Sequence, residues 1–193
     1  MIKKGFTIAE MLVCLVIIGV ISVMMLVSIK AKPNENMVMF RKAYNLTSNN
    51  VYEMINNEEY YSAENGFKDV GEPQVDIGGE PRSNFKGLSK FCKIFSQYLN
   101  TQDIPDCSST KTLDAGGNFT TLDGIVWSMP VSDFSSEQII NVDLNGSALP
   151  NCTEGANCTD PDRFSIGITS YGKIKVPSEK GRSYLRVNRN ITK

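Results

Sequence analysis

The chain opens on its longest apolar run. Residues 6–29 carry a single charge, Glu10, and no proline. A helix over that run spans about 36 Å, against roughly 30 Å for a hydrocarbon core, so the pattern predicts a membrane-spanning helix. The period then changes. Met37, Phe40, Tyr44, Thr47, Val51 and Met54/Ile55 recur at spacings of three and four, while Asn36, Arg41, Lys42, Asn49, Asn50 and Glu53 fall on the opposite face. This predicts an amphipathic helix that reaches about residue 58, kinked at Pro33 and ended by packing of Tyr60-Tyr61.

Residues 62–83 are rich in Gly, Pro, Asp and Glu and predict a long surface loop. A second amphipathic helix is expected over residues 83–99, with Phe85, Leu88, Phe91, Cys92, Phe95, Tyr98 and Leu99 on one face. Beyond it the pattern is β: short strands at residues 125–129, 138–144, 163–169 and 173–176. Asn145-Gly146 marks a turn, and Ser170-Tyr171-Gly172 closes a hairpin between the last two strands. The predicted class is α+β: a long N-terminal helix, half transmembrane and half amphipathic, packed on a small antiparallel head of residues 62–193.

Charge narrows the function. The net charge is −1 and the basic residues do not interleave with aromatics, so no nucleic-acid binding is predicted. A mild C-terminal cluster, Lys180, Arg182, Arg186 and Arg189, reads as a solvated face. The chain has no histidine, which removes His-dependent acid–base chemistry and Ser-His or Cys-His nucleophile pairs. Gly116-Gly117-Asn118 is a turn, since no Gly-Lys-Ser/Thr follows it. No enzyme is expected.

The cysteines divide into Cys14, a small apolar residue of the first run, and Cys92, Cys107, Cys152 and Cys158 of the head. Four cysteines in an oxidising compartment read as disulfides. Three pairings are open, and local closure favours Cys92–Cys107 and Cys152–Cys158.

Lys3 and Lys4 precede the apolar run, and Lys30 and Lys32 follow it. The positive-inside rule puts the N-terminus in the cytoplasm, with the short N-terminal tail breaking the near balance of charge. The run is too long for an ordinary secretory signal and has no A-x-A-like site after it. An intramembrane carboxylate costs a few kcal/mol when unpaired, which makes Glu10 a functional position.

Gly5-Phe6-Thr7-Ile8-Ala9-Glu10 and the following Met11 to Ser22 resemble the N-terminus of type IV pilins and type II secretion pseudopilins. The resemblance implies cleavage by a prepilin peptidase between Gly5 and Phe6 and N-methylation of Phe6. Glu10 then corresponds to the glutamate at the fifth mature position. Residues 1–5 become a leader, 6–29 the transmembrane helix and 30–61 its amphipathic continuation. Ala9, Met11 and Cys14 replace commoner aliphatic residues, and the first proline is Pro33 rather than one near Val27. The ammonium created on Phe6 can meet the Glu10 carboxylate of a neighbouring subunit in a filament, because a paired charge in a dry place costs far less than a lone one. The implied partners are the peptidase, an inner-membrane platform protein with its cytoplasmic ATPase, and copies or relatives of the chain. The implied location is the bacterial inner membrane, head outward, then a filament. The rival from the residues alone is an extracytoplasmic binding domain or enzyme using the segment only as an anchor.

Asp143, Asn145, Asp160 and Asp162 stand on turns of the β region and are hard oxygen ligands. Calcium takes six to eight such oxygens, and the resemblance to pseudopilins with a loop calcium makes these four the candidate metal residues. Asp and Asn are equally ordinary turn residues.

Overall fold

The computed structural model describes residues 8–29, 34–155 and 157–186. The chain divides into two compact units, residues 1–35 and 36–193. In the first, helix α1 covers Ile8–Ile29. The expected kink at Pro33 lies outside the described residues.

Helix α2, Glu35–Asn56, belongs from Asn36 onward to the second unit, and its buried residues are Phe40, Ala43, Thr47, Asn50, Val51 and Met54. The expected stripe is therefore rotated slightly. Ala43 takes the buried place given to Tyr44, and Asn50 turns inward from the face read as polar. The helix also stops at Asn56, short of residue 58. Asn57 ends it: its carbonyl accepts the amides of Tyr60 and Tyr61, and its side-chain oxygen accepts that of Glu59. Tyr61 is buried in the core and Tyr60 is half-buried against it, so the pair packs, but it lies past the helix end rather than ending the helix.

The second helix is shorter than the pattern suggested. Residues 82–84 form a single 3₁₀ turn, and α3 covers only Lys90–Gln97. Phe85, Phe91 and Phe95 are all buried, so the apolar spacing was real. Gly87 breaks it, with φ +76° and an amide given to the Val70 carbonyl, and Leu88 is left exposed. A left-handed residue cannot continue an α-helix, and glycine takes that conformation without steric cost.

The sheet has five antiparallel strands in sequential order: β1 Phe119–Thr120, β2 Val126–Ser128, β3 Gln138–Asp143, β4 Arg163–Ile168 and β5 Ile174–Lys175. Four match the expected strands, trimmed at their ends. β1 and a C-terminal helix, α4 (Glu179–Leu185), were not anticipated. Alternate β3 and β4 residues, Ile140, Val142, Phe164, Ile166 and Ile168, face the core. There Phe40 of α2 meets Phe164 at a ring-centroid distance of 4.4 Å. A second aromatic cluster joins Tyr61, Phe67, Phe91 and Phe134.

The expected hairpin is present. Gly172 has φ +75°, and a Cβ on it would lie 3.2–3.3 Å from Ile55 and Val51 of α2, so the turn sits tightly on the helix. Between β3 and β4 the chain makes a long excursion over residues 144–162, closed within itself by Cys152–Cys158.

Cys92 of α3 is bonded to Cys107, with Cα atoms 5.8 Å apart. The loop they close is also tied to the sheet by the buried Asn118, whose amide donates to Asp106 and Ser109 carbonyls and accepts from the Met129 amide. Replacing Cys92 and Cys107 together by alanine is expected to lower the unfolding free energy by about 3 kcal/mol, from loop-closure entropy. The same change at Cys152 and Cys158, which lie only 6 positions apart, should cost less, about 2 kcal/mol or under. Denaturant unfolding of the two double variants checks the order. Equal losses, or a larger loss at the short loop, would overturn it.

Candidate functional site

The residues of the N-terminal reading fall at the edge of what the structure describes. Gly5 and Phe6 lie outside the described residues. Glu10 is in the backbone of α1, with its side chain outside them. The neighbouring side chains are informative. Ile8, Met11, Leu12, Val13, Leu15, Val16, Ile17 and Ile18 are each more than half exposed. Consecutive positions point to every side of a helix, so this surface is apolar all round rather than on one stripe. Such a helix needs lipid or other helices around it. Among the described residues no helix is long and apolar enough to cross a membrane, and the side chains described on α1 end at Gly19.

The four candidate metal residues stand around the β3–β4 excursion, where protein donors already hold the three aspartates. Asp143 is almost fully buried and accepts a hydrogen bond from Arg163 Nε at 2.8 Å, its cross-strand neighbour in the sheet. Burial raises its pKa above the ordinary carboxylate value, and Arg163 only partly opposes this. The two oxygens of Asp162 accept the amides of Asn151 and Cys152, each at 2.8 Å. Asp160 accepts the Tyr184 hydroxyl at 3.2 Å. Asn145 is exposed, and its amide faces Asp143 at 3.4 Å. Among the described residues no group of three or more His, Cys, Asp or Glu side chains could hold a metal ion. Calcium wants converging free oxygens. Here the donor set includes a guanidinium, so the residues fit a tied turn and do not fit the ion.

The C-terminal basic cluster is also partly structural. Arg182 donates to the carbonyls of Val176 and Pro177, and Lys180 lies over the Tyr184 ring at 5.6 Å. Arg189 lies outside the described residues.

One charged site went unread in the sequence. Lys90, at the start of α3, is 2% exposed. Its Nζ sits 3.7 Å from Asp69 Oδ1 and 4.4 Å from the centre of the Tyr61 ring. Asp69 also accepts the amides of Ser62 and Gly71 at 3.0 and 2.9 Å. Burial pushes the Lys90 ammonium pKa down, and Asp69 restores part of it. Burial works against the Asp69 carboxylate too, but the two amides and Lys90 together hold its pKa below the ordinary value. The Tyr61 phenol is raised by burial first and by Asp69 second. The arrangement clamps the loop after α2 onto α3. A lysine next to Ser89 reads as solvated, and only the tertiary approach of Asp69 marks it as a buried pair.

Comparison with known proteins bears on the N-terminal segment alone. No curated protein matches the chain, and no solved structure matches it. Residues 1–26 match the family model described as the prokaryotic N-terminal methylation motif. The chain thus carries at its N-terminus the signal segment of type IV pilins and pseudopilins.

Proposed function

We propose that this chain is a type IV pilin-like precursor and a structural subunit of a filament. The observation that carries the reading is the methylation motif at residues 1–26; within it the proposal puts cleavage between Gly5 and Phe6, and Glu10 lies inside the apolar run. The all-round apolar surface of α1 supports it, since that helix requires a covering of lipid before assembly and of other helices after it. The chain inserts once, with Lys3 and Lys4 on the cytoplasmic side. The peptidase cuts after Gly5 and methylates Phe6, and the platform and ATPase machinery extracts the subunit into a filament. The head folds outside the cytoplasm, where disulfides persist.

Mass spectrometry of the N-terminus tests this directly. Protein from the native membrane should begin at an N-methylated Phe6, and Gly5→Glu should retain the leader. An intact Met1 on wild-type protein, or normal maturation of the variant, would overturn the assignment. Correct processing with no copy in any sheared filament fraction would instead favour a head merely anchored by this segment.

A further inference from the structure

A cleft of about 470 Å³ runs between one flank of α2 and the β4–β5 hairpin. The helix supplies Tyr44, Ser48, Tyr52 and Asn56, successive members of one stripe, and the hairpin supplies Tyr171 opposite them. Tyr52 and Tyr171 are 67% and 63% exposed, so their rings are largely open to solvent.

The hairpin wall is tied to the helix, and the helix wall is one regular stripe. Gly172 holds the hairpin against Ile55 and Val51, and the Tyr171 hydroxyl donates to the Glu64 carbonyl at 3.3 Å. On the helix, Asn56 Nδ2 donates to the Tyr52 carbonyl at 2.8 Å, which holds the amide at the rim. Preorganised groups of this kind bind without a large ordering cost.

The lining has no carboxylate, ammonium or guanidinium group. That separates it from two other clefts of the head, one lined by Lys42 and Asp123 and one by Glu154 and Arg163. A nucleic acid or acidic surface would need cations here. An uncharged ligand needs what is present: aromatic faces for its apolar C–H surface, and hydroxyl and amide groups for its own hydroxyls.

We propose that this cleft binds a short, uncharged saccharide chain, its rings stacked on Tyr52 and Tyr171 and its hydroxyls bonded to Ser48, Asn56 and the tyrosine hydroxyls. The proposal does not depend on filament assembly, because every residue it uses belongs to the second unit, residues 36–193.

The test titrates the full-length processed protein, in a detergent that carries no sugar, with four probes: triacetylchitotriose, maltotriose, cellotriose and mannotriose. Saturation-transfer NMR reads which sugar protons approach the protein. At least one probe should bind, and raising the salt should leave its affinity unchanged, since no charge is involved. Tyr52→Ala and Tyr171→Ala should each weaken binding about tenfold, the loss of one stacked ring. Both side chains are exposed, so the variants should keep the wild-type circular dichroism. Leu122→Ala, in the Lys42–Asp123 cleft, should change nothing. The proposal is overturned if none of the four probes binds, or if binding survives the Tyr52→Ala/Tyr171→Ala double variant. It is equally overturned if the tyrosine variants alter only self-association or the capture of a hydrophobic peptide, which would make the cleft a protein-docking surface.

Discussion

Cells whose only copy of this chain carries Glu10→Val should contain the subunit in the membrane, cleaved and methylated, and no filaments built from it. Valine makes the apolar run more apolar, so insertion is not impaired. The proposed cleavage position, Gly5-Phe6, is untouched. On the proposed filament reading, what disappears is the acceptor for the Phe6 ammonium of the neighbouring subunit. In a dry helical bundle a lone ammonium is penalised by several kcal/mol, and removing one partner of a buried pair is typically worth about 3–5 kcal/mol. That penalty recurs at every subunit added, which is why the expected outcome is absence rather than a shorter filament. Glu10→Gln separates charge from shape, because it keeps the side-chain length and a hydrogen-bonding oxygen without the charge. It should fail nearly as completely as valine. Shearing, sedimentation and immunodetection of the subunit give the readout. Normal filaments from both variants would remove the pairing argument while leaving the processing argument standing.

The N-terminal segment was legible because its chemistry is contiguous. Two lysines, a glycine, an apolar run and one carboxylate sit within a few turns of one another, and no tertiary information is needed to relate them. The same holds for the disulfides of the structure, which join the pairs nearest in sequence. The stripe of α2 was legible to within one position. Periodicity gives the face of a helix, but the neighbouring elements decide which member of the stripe is most buried, and on α2 that is Ala43 rather than Tyr44.

Illegible features have specific causes. Phe85, Phe91 and Phe95 imitate one long helical face, and the apolar period carries no sign of the left-handed turn at Gly87. β1 is two residues long, too short for a period to show. α4 buries only Gly181 and Tyr184, so its strongest signal is its cap, Ser178, whose hydroxyl accepts the Gly181 amide at 2.9 Å. The acidic turn invited a metal because Arg163 is 20 residues from Asp143 in sequence, and the β3–β4 register sets them face to face. A cross-strand ion pair of this type requires the register, which the sequence pattern alone does not supply.

The Lys90 clamp gives the second large effect. Asp69→Asn should destabilise the head by about 3 kcal/mol, at the low end of the range for breaking a buried pair because the carboxylate is 27% exposed and lies 3.7 Å away. The ammonium would then stay buried over Tyr61 with no counter-charge. Lys90→Met should be close to neutral or slightly stabilising, since the apolar stem is kept and Asp69 retains its two amide donors. The double variant should therefore recover most of the stability lost in Asp69→Asn, a non-additivity that identifies the pair as the cause. Acid titration gives an independent sign. The folded-state pKa of Asp69 is depressed, so its contribution is fully present above the unfolded value of about 3.9 and is lost as pH falls through the folded value. Asp123, held down by Lys42, Thr121 and the Ile125 amide against its own burial, acts in the same direction. Asp143, raised by burial, acts in the opposite one. The loss of stability below pH ~4 should accordingly be shallower in Lys90→Met than in the wild type, because one of the groups that hold Asp69 ionised is gone. Denaturant unfolding of the wild type, both single variants and the double variant at neutral and acid pH reads all of this in one series. An Asp69→Asn head as stable as the wild type, or a double variant no more stable than Asp69→Asn, would show that Lys90 does not depend on Asp69 for its place in the core.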